Sequence, residues 1–150
     1  MRQPELVKAA LKRKGCIYKC PERKTKYSAG YDFYCPADVV IPSLTSVVIP
    51  TGYKVELEPE EVLTIHIRSS LAFKKGLRMT NGVGIIDADY YNNPENEGEI
   101  LIGVFNPGIG TQSIKKGERF AQGVVFAYHT WGDLPAQERV GGVGSTSREE

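Results

Sequence analysis

The sequence predicts an all-β subunit, a barrel or jelly roll of short strands carrying one short helix. Three observations lead there. From Cys16 onward, apolar residues fall in short runs that alternate with polar ones; turn residues such as Pro50-Thr51-Gly52 and Asn106-Pro107-Gly108 separate those runs; and a single stretch, residues 69–76, has the composition of a helix.

Taken in order, residues 5–14 set Leu6, Val7, Ala10 and Leu11 among basic residues, which fits either a short amphipathic helix or a frayed terminus. Residues 47–49 form an apolar run that enters the turn at Pro50. Tyr53, Val55 and Leu57 then alternate with Lys54 and Glu56, as a half-buried strand requires, because successive side chains point to opposite faces. Residues 62–67 and 100–105 read as further strands, and another follows the turns at Asn106 and Lys115, over residues 120–128. In the helical stretch, Ser69 and Ser70 offer capping hydroxyls, helix formers and lysines follow, and Gly76 is a stop, so one or two turns are expected. Residues 134–150 are rich in Gly, Ser and charge and read as a flexible tail.

A chain of 150 residues is long enough to bury a real core and too short for two, so a single domain is expected over residues 1–150. Hydrophobic residues make up 41% and charged residues 25%, proportions of an ordinary globular chain rather than a disordered one. The net charge of +1 gives no general attraction to nucleic acid or to membranes, so any anion site is local. No apolar run reaches the length of a membrane span, the N-terminus lacks the apolar stretch of a signal peptide, and a cytoplasmic location is the default. Cys16, Cys20 and Cys35 form no C-x-x-C pair and read as free thiols, while His66 and His129 lie far apart in strand-like contexts, which disfavours a histidine metal centre.

Five segments could carry chemistry. Ala29-Gly30-Tyr31-Asp32 is, by itself, a turn before a strand. Arg68-Ser69-Ser70 places a fixed cation and two hydroxyls where a strand meets a helix N-terminus, a natural phosphate site, or simply a capped helix with a surface arginine. Residues 81–90 gather Asn81, Gly84, Asp87, Asp89 and Tyr90 around an apolar stretch. An amide can read a base edge, a carboxylate near a phosphate can deprotonate water, and an aromatic ring can pack on a sugar; a β-hairpin with polar turns fits as well. Residues 116–122, ending on Gln122, could be a turn and strand. Arg139, Gly141, Gly142, Val143, Gly144, Ser145 and Thr146 could wrap backbone N–H groups round phosphate oxygens or form a plain tail.

Each segment is weak alone, yet all five in this order resemble the dUTPase family, whose motifs read A-G-x-D, R-S-G/S, G-x-I-D-x-D-Y, G-E/D-R-x-A-Q and R…G-G-x-G-S-T. The resemblance runs from Ala29 to Thr146 and leaves residues 1–20 as an N-terminal extension. It implies a homotrimer of jelly-roll-like subunits with shared active sites, and hydrolysis of dUTP to dUMP and pyrophosphate with Mg2+. It further implies that Asp87 is the general base, that Asn81 reads the uracil edge with Gly84 beside it, and that Tyr90 packs under the deoxyribose and leaves no room for a 2′-hydroxyl. Arg68, Ser69, Ser70 and Gln122 match the phosphate clamp, and Asp32 matches a carboxylate that meets magnesium through water. Arg139, Gly142, Val143, Gly144 and Ser145 match an arm that closes over the outer phosphates.

This chain departs from the family spelling at three places. Residues 91–97 are an insertion after Tyr90, Val143 stands where many relatives have Phe, and Arg139 lies one residue nearer the glycine pair. Two rival readings have clear signatures. A dCTP deaminase, similar in fold and in R-S-S-L, needs a Glu on the strand entering Phe105, where this chain has Gly103. A regulatory or binding protein on the same fold would use the insertion, from Tyr91 to Glu97, as a docking loop.

Overall fold

The computed structural model describes residues 3–132, 135 and 138–144. Its strands are short and antiparallel throughout the described residues. Strands β1 (Glu5–Leu6) and β5 (Tyr53–Lys54) form one pair, and β3 (Val39–Ile41) and β10 (Gln112–Ile114) another. A three-stranded sheet runs in the order β4 (Ser46–Pro50), β9 (Leu101–Phe105), β7 (Arg78–Met79). The sheet that carries most of the candidate residues has the order β2 (Tyr31–Tyr34), β11 (Arg119–Ala127), β6 (Glu61–Ile67), β8 (Gly84–Asp87). This is the jelly-roll-like, all-β arrangement with one short helix, α1 (Ser69–Lys75), that the alternation predicts.

The period of two explains the core. In β9, Ile102 and Val104 are wholly buried while their neighbours are half-exposed; in β6, Leu63 and Ile65 point inward in the same way. Ile41, Ile49, Ile114 and Phe120 come in from four other strands, and burying each such side chain contributes roughly 1.5–3 kcal/mol. Burial pushes the Cys35 thiol up to about 11, so it stays protonated and packs as a small apolar group.

Three local expectations are corrected. The strand expected over residues 53–57 ends at Lys54, because its partner β1 offers only Glu5 and Leu6; Val55 and Leu57 still pack against the core without a ladder. The serines do not cap α1. Arg68 is its extended N-cap and makes no side-chain cap bond, whereas Gly76 closes the helix in the left-handed conformation with its N–H on Ala72 and Leu71. Residues 5–14 are neither an amphipathic helix nor a frayed end: one 3-10 turn, Ala10–Lys12, follows β1, with Val7 and Ala10 buried. The segment is held by Arg13, which forms a two-pronged ion pair with buried Glu99 at 2.5 and 2.7 Å, while the same carboxylate accepts the Gly52 N–H at 2.9 Å. No helix among the described residues is long and apolar enough to cross a membrane.

Candidate active site

Sheet register assembles the first group of candidate residues. Gln122 on β11 lies between Asp32 on β2 and His66 on β6, so Asp32 and Gln122 are direct cross-strand neighbours. Gly30 makes room for this: a Cβ there would stand 3.0 Å from the Gln122 side-chain oxygen. Asp32 is nearly buried and accepts from two guanidinium groups on one oxygen, Arg119 at 2.9 Å and Arg68 at 3.4 Å. Arg68 is fixed further by its own N–H on the Phe120 carbonyl, 3.1 Å away. Two cations around one carboxylate leave one positive charge in excess. Ser69 and Ser70 are exposed on the first turn of α1 beside it, with N–H groups that precede the first intrahelical bond, Leu71 N to Arg68 O. The cluster is a local anion site on a chain with almost no net charge.

The second group sits at the end of β8. Asp87 ends the strand, a 3-10 turn (Ala88–Tyr90) follows, and Asp89 and Tyr90 project from it. Asp87 and Asp89 are each more than half exposed, whereas Tyr90 is only 5% exposed. A cleft of about 500 Å3 borders Asp87, Ala88 and Asp89. A cavity of about 520 Å3, lined by Phe33, Val55, Leu63 and Val125 among others, is more enclosed but lies apart from the paired carboxylates, so the cleft is the better place for chemistry. Asn81 and Val83 are exposed on the turn before β8, and Gly84 is buried where it pairs with Ile65.

The arm lies on this second group. Arg139 donates from Nε to Asp89 at 2.7 Å and from NH2 to Asp87 at 2.8 Å, with its guanidinium 5.7 Å from the centre of the Tyr90 ring. Gly142 donates its N–H to the Glu95 carboxylate at 2.6 Å, and a Cβ at Gly142 would stand 3.2 Å from both Glu95 and Asn96. Val143 and Gly144 follow, exposed; Ser145 and Thr146 lie outside the described residues.

The two groups are far apart within one chain. Asp87 pairs with Val62 at the start of β6, whereas Arg68 follows its end, six residues on, a separation of about 20 Å at roughly 3.3 Å per residue. The structure thus joins Asp32, Arg68 and Gln122, and separately Asp87, Tyr90, Arg139 and Gly142, but does not bring the two sets together.

Sequence reasoning missed several residues of the site. Arg119, at the start of β11, belongs with Arg68 on Asp32; the signal for it was the arginine of the fourth motif, G-E/D-R-x-A-Q, which was given no role of its own. Glu95, Asn93 and Asn96 belong with Tyr90 and the arm. For the two asparagines a signal existed, since Asn-Pro and Asn-Gly-like clusters form side-chain-to-backbone turns.

Comparisons with known proteins identify the family. The dUTPase family model matches residues 18–147. The deoxyuridine 5'-triphosphate nucleotidohydrolase of Lactococcus lactis is 43% identical over 129 residues, covering 84% of this chain and 86% of the relative. That of Tolumonas auensis is 36% identical over 157 aligned positions and covers 99% of each. Among solved structures, the dUTPase of Streptococcus mutans superposes with a TM-score of 0.77 at 37% identity, covering 88% of this chain and 100% of that one. The match begins ahead of the strand that bears Asp32, continues through the clamp and the carboxylate corner, and reaches into the arm, so the chain belongs to the dUTPase family.

Proposed function

We propose that the protein hydrolyses dUTP to dUMP and pyrophosphate, with Asp87 as the base for water attack on the α-phosphorus. The observation that supports this best is the presence of two complementary half-sites, a carboxylate corner with a buried tyrosine and a two-arginine, two-serine clamp, on a chain of this family. Asp87 takes a proton from water, the oxygen bonds to the α-phosphorus, and the bond to the bridging oxygen of the β-phosphate breaks, releasing pyrophosphate. Arg68, Ser69, Ser70 and Gln122 hold the triphosphate, and Asp32 orients both Arg68 and Arg119 towards it. Asn81 reads the uracil edge beside Gly84, and Tyr90 sets the floor under the deoxyribose.

Magnesium fits this donor set only as an ion carried by the triphosphate. Among the described residues no cluster of three or more His, Cys, Asp or Glu side chains could hold a metal, and Asp32 already meets two guanidiniums, so its contact with magnesium would run through water. A bound ion supplies charge neutralisation of the phosphates.

Arg139 closes the site by exchanging partners. In its present position its single positive charge is shared between Asp87 and Asp89. When the arm moves onto the outer phosphates, with the N–H groups of Gly142, Val143, Gly144 and Ser145 around them, Asp87 is released to act on water.

The deaminase reading loses support at Gly103. A Cβ there would stand 2.9 Å from the Thr80 hydroxyl oxygen, so a Glu side chain has no place on that strand position. The direct test is release of pyrophosphate from dUTP, dCTP and UTP in parallel. Turnover of dUTP should exceed both others by several powers of ten. Comparable turnover of UTP would remove Tyr90 from its role, and formation of dUTP from dCTP would restore the deaminase.

The separation of about 20 Å along β6 supports a homotrimer in which the Asp87 corner of one subunit faces the Arg68 clamp of another. Exposed apolar side chains on the same sheet, Ile85 and Phe126, supply surface for such contacts. Mixed assembly checks this. Asp87→Asn and Arg68→Ala chains, each inactive alone, should recover a measurable share of activity after dissociation and reassembly together, because some mixed sites draw both intact residues. Activity no higher than the sum of the two parents would place the whole site in one chain. A cytoplasmic location goes with this function.

A further inference from the structure

The insertion after Tyr90 is not a loose loop. Asn93 is 5% exposed and ties it at both ends: its amide donates to the Tyr90 carbonyl at 2.9 Å and to the Asn96 side-chain oxygen at 2.7 Å. Its own side-chain oxygen accepts the N–H groups of Glu95 and Asn96 at 3.1 and 3.2 Å. The Asn92 N–H donates to the Glu97 carbonyl and the Glu97 N–H to the Asn93 carbonyl, each at 3.0 Å, and Asn92 and Glu97 both have positive φ, 58° and 61°, a conformation uncommon for non-glycine residues. The loop thus spends two left-handed residues, one buried amide (Asn93) and one half-buried amide (Asn96) on one conformation.

What that conformation holds is the Tyr90 hydroxyl. Asn96 donates to it at 2.8 Å, and it donates in turn to the Glu99 carbonyl at 2.8 Å. Asn96 is itself fixed, since its oxygen accepts from Gly98 N at 3.0 Å as well as from Asn93. Glu99 is anchored by Arg13 and Gly52. Burial raises the phenol above its ordinary range, so it remains a neutral hydroxyl able to donate and accept together.

We propose that Asn96 is a positioning residue for sugar selection: by holding the Tyr90 hydroxyl from the loop side it fixes the depth of the ring under the sugar, so that a 2′-hydroxyl is refused. The inference rests on the reading of Tyr90 given above. Its physical basis is that a steric filter is only as good as its wall is rigid. A ring that can retreat by about 1 Å admits an extra oxygen, and displacements of that size are known to alter catalysis strongly. A phenol gripped on both sides, in a close-packed setting, has no such freedom. The ring's far edge is the natural handle, because bonds there leave the face free for the sugar.

The experiment measures kcat/KM for dUTP and for UTP in Tyr90→Ala, Tyr90→Phe, Asn96→Ala and the Tyr90→Phe/Asn96→Ala double variant, with thermal unfolding of each. Tyr90→Ala tests the underlying reading: the dUTP/UTP ratio should collapse, and an unchanged ratio removes Tyr90 from sugar selection altogether. With that reading upheld, Asn96→Ala should lower the ratio roughly tenfold or more, chiefly by admitting UTP. Tyr90→Phe keeps the ring and deletes only the handle, so it should lower the ratio similarly, and the double variant should be no worse than either single one. Equal loss for both substrates in Asn96→Ala overturns the proposal and leaves Asn96 a structural residue. So does an unchanged ratio in Tyr90→Phe, which folds with its ring intact, or full additivity of the two changes.

Discussion

Replacing Asp87 with asparagine lowers dUTP turnover by roughly 10²- to 10⁴-fold, the usual worth of a general base. The substitution keeps the side chain's shape and removes its basic oxygen. Stability should hardly change, because the carboxylate is more than half exposed at the end of β8 and supports no core residue. Affinity for a non-hydrolysable dUTP analogue should hold or improve, since one charge repelling the phosphates is gone. Asp89 is the built-in control. It lies two residues on, equally exposed, and shares Arg139 with Asp87 through the same guanidinium. Asp89→Asn should alter the arm's resting contact and little else. Single-turnover rates for the two variants decide the matter: a dead Asp89→Asn beside an active Asp87→Asn would transfer the base to Asp89.

A chain ending at Glu138 should fold and assemble as the full chain does, yet lose about 2–4 kcal/mol of transition-state stabilisation, as removal of charged donors at developing phosphate charge does. Folding is spared because, among the described residues, the arm brings no buried apolar side chain: Val140 and Val143 are 71% and 70% exposed, and its contacts include the polar ones of Arg139 and Gly142. The loss should fall mainly on kcat, because the arm completes the site after the nucleotide has bound. Equal turnover numbers for the two lengths would reduce the arm to a tail and withdraw its glycines from the mechanism.

The predictability of each part follows from the range of the interactions behind it. Strands β6 and β9 could be read directly because Leu63, Ile65, Ile102 and Val104 answer to a period of two, a purely local signal. The five segments were each ambiguous alone and could be read only together, because their order along the chain resembles that of one family. Where the outcome depended on a distant partner, the sequence was silent. The strand after Gly52 stops at Lys54 because β1 is two residues long, and nothing near Val55 says so. Arg13 reaches Glu99 across 86 positions of chain, so residues 5–14 could be read as helix or loose end but not as an anchor. Arg68 takes the cap of α1 from the serines because its N–H is drawn to Phe120 on another strand. The gap between Asp87 and Arg68 is a matter of register on β6, which no count of residues between motifs reveals.

That gap has a genetic side. If Asp87 is the base and Arg68 the clamp, as proposed above, a chain that holds them about 20 Å apart is one gene product but less than one catalyst. On the shared-site reading proposed above, a copy lacking one half would spoil one site, as an idle copy would, whereas a copy broken in both halves would spoil two and act as a dominant lesion. If Ile85 and Phe126 lie in the contact proposed between subunits, a change on their exposed faces could cost an organism as much as a change of Asp87.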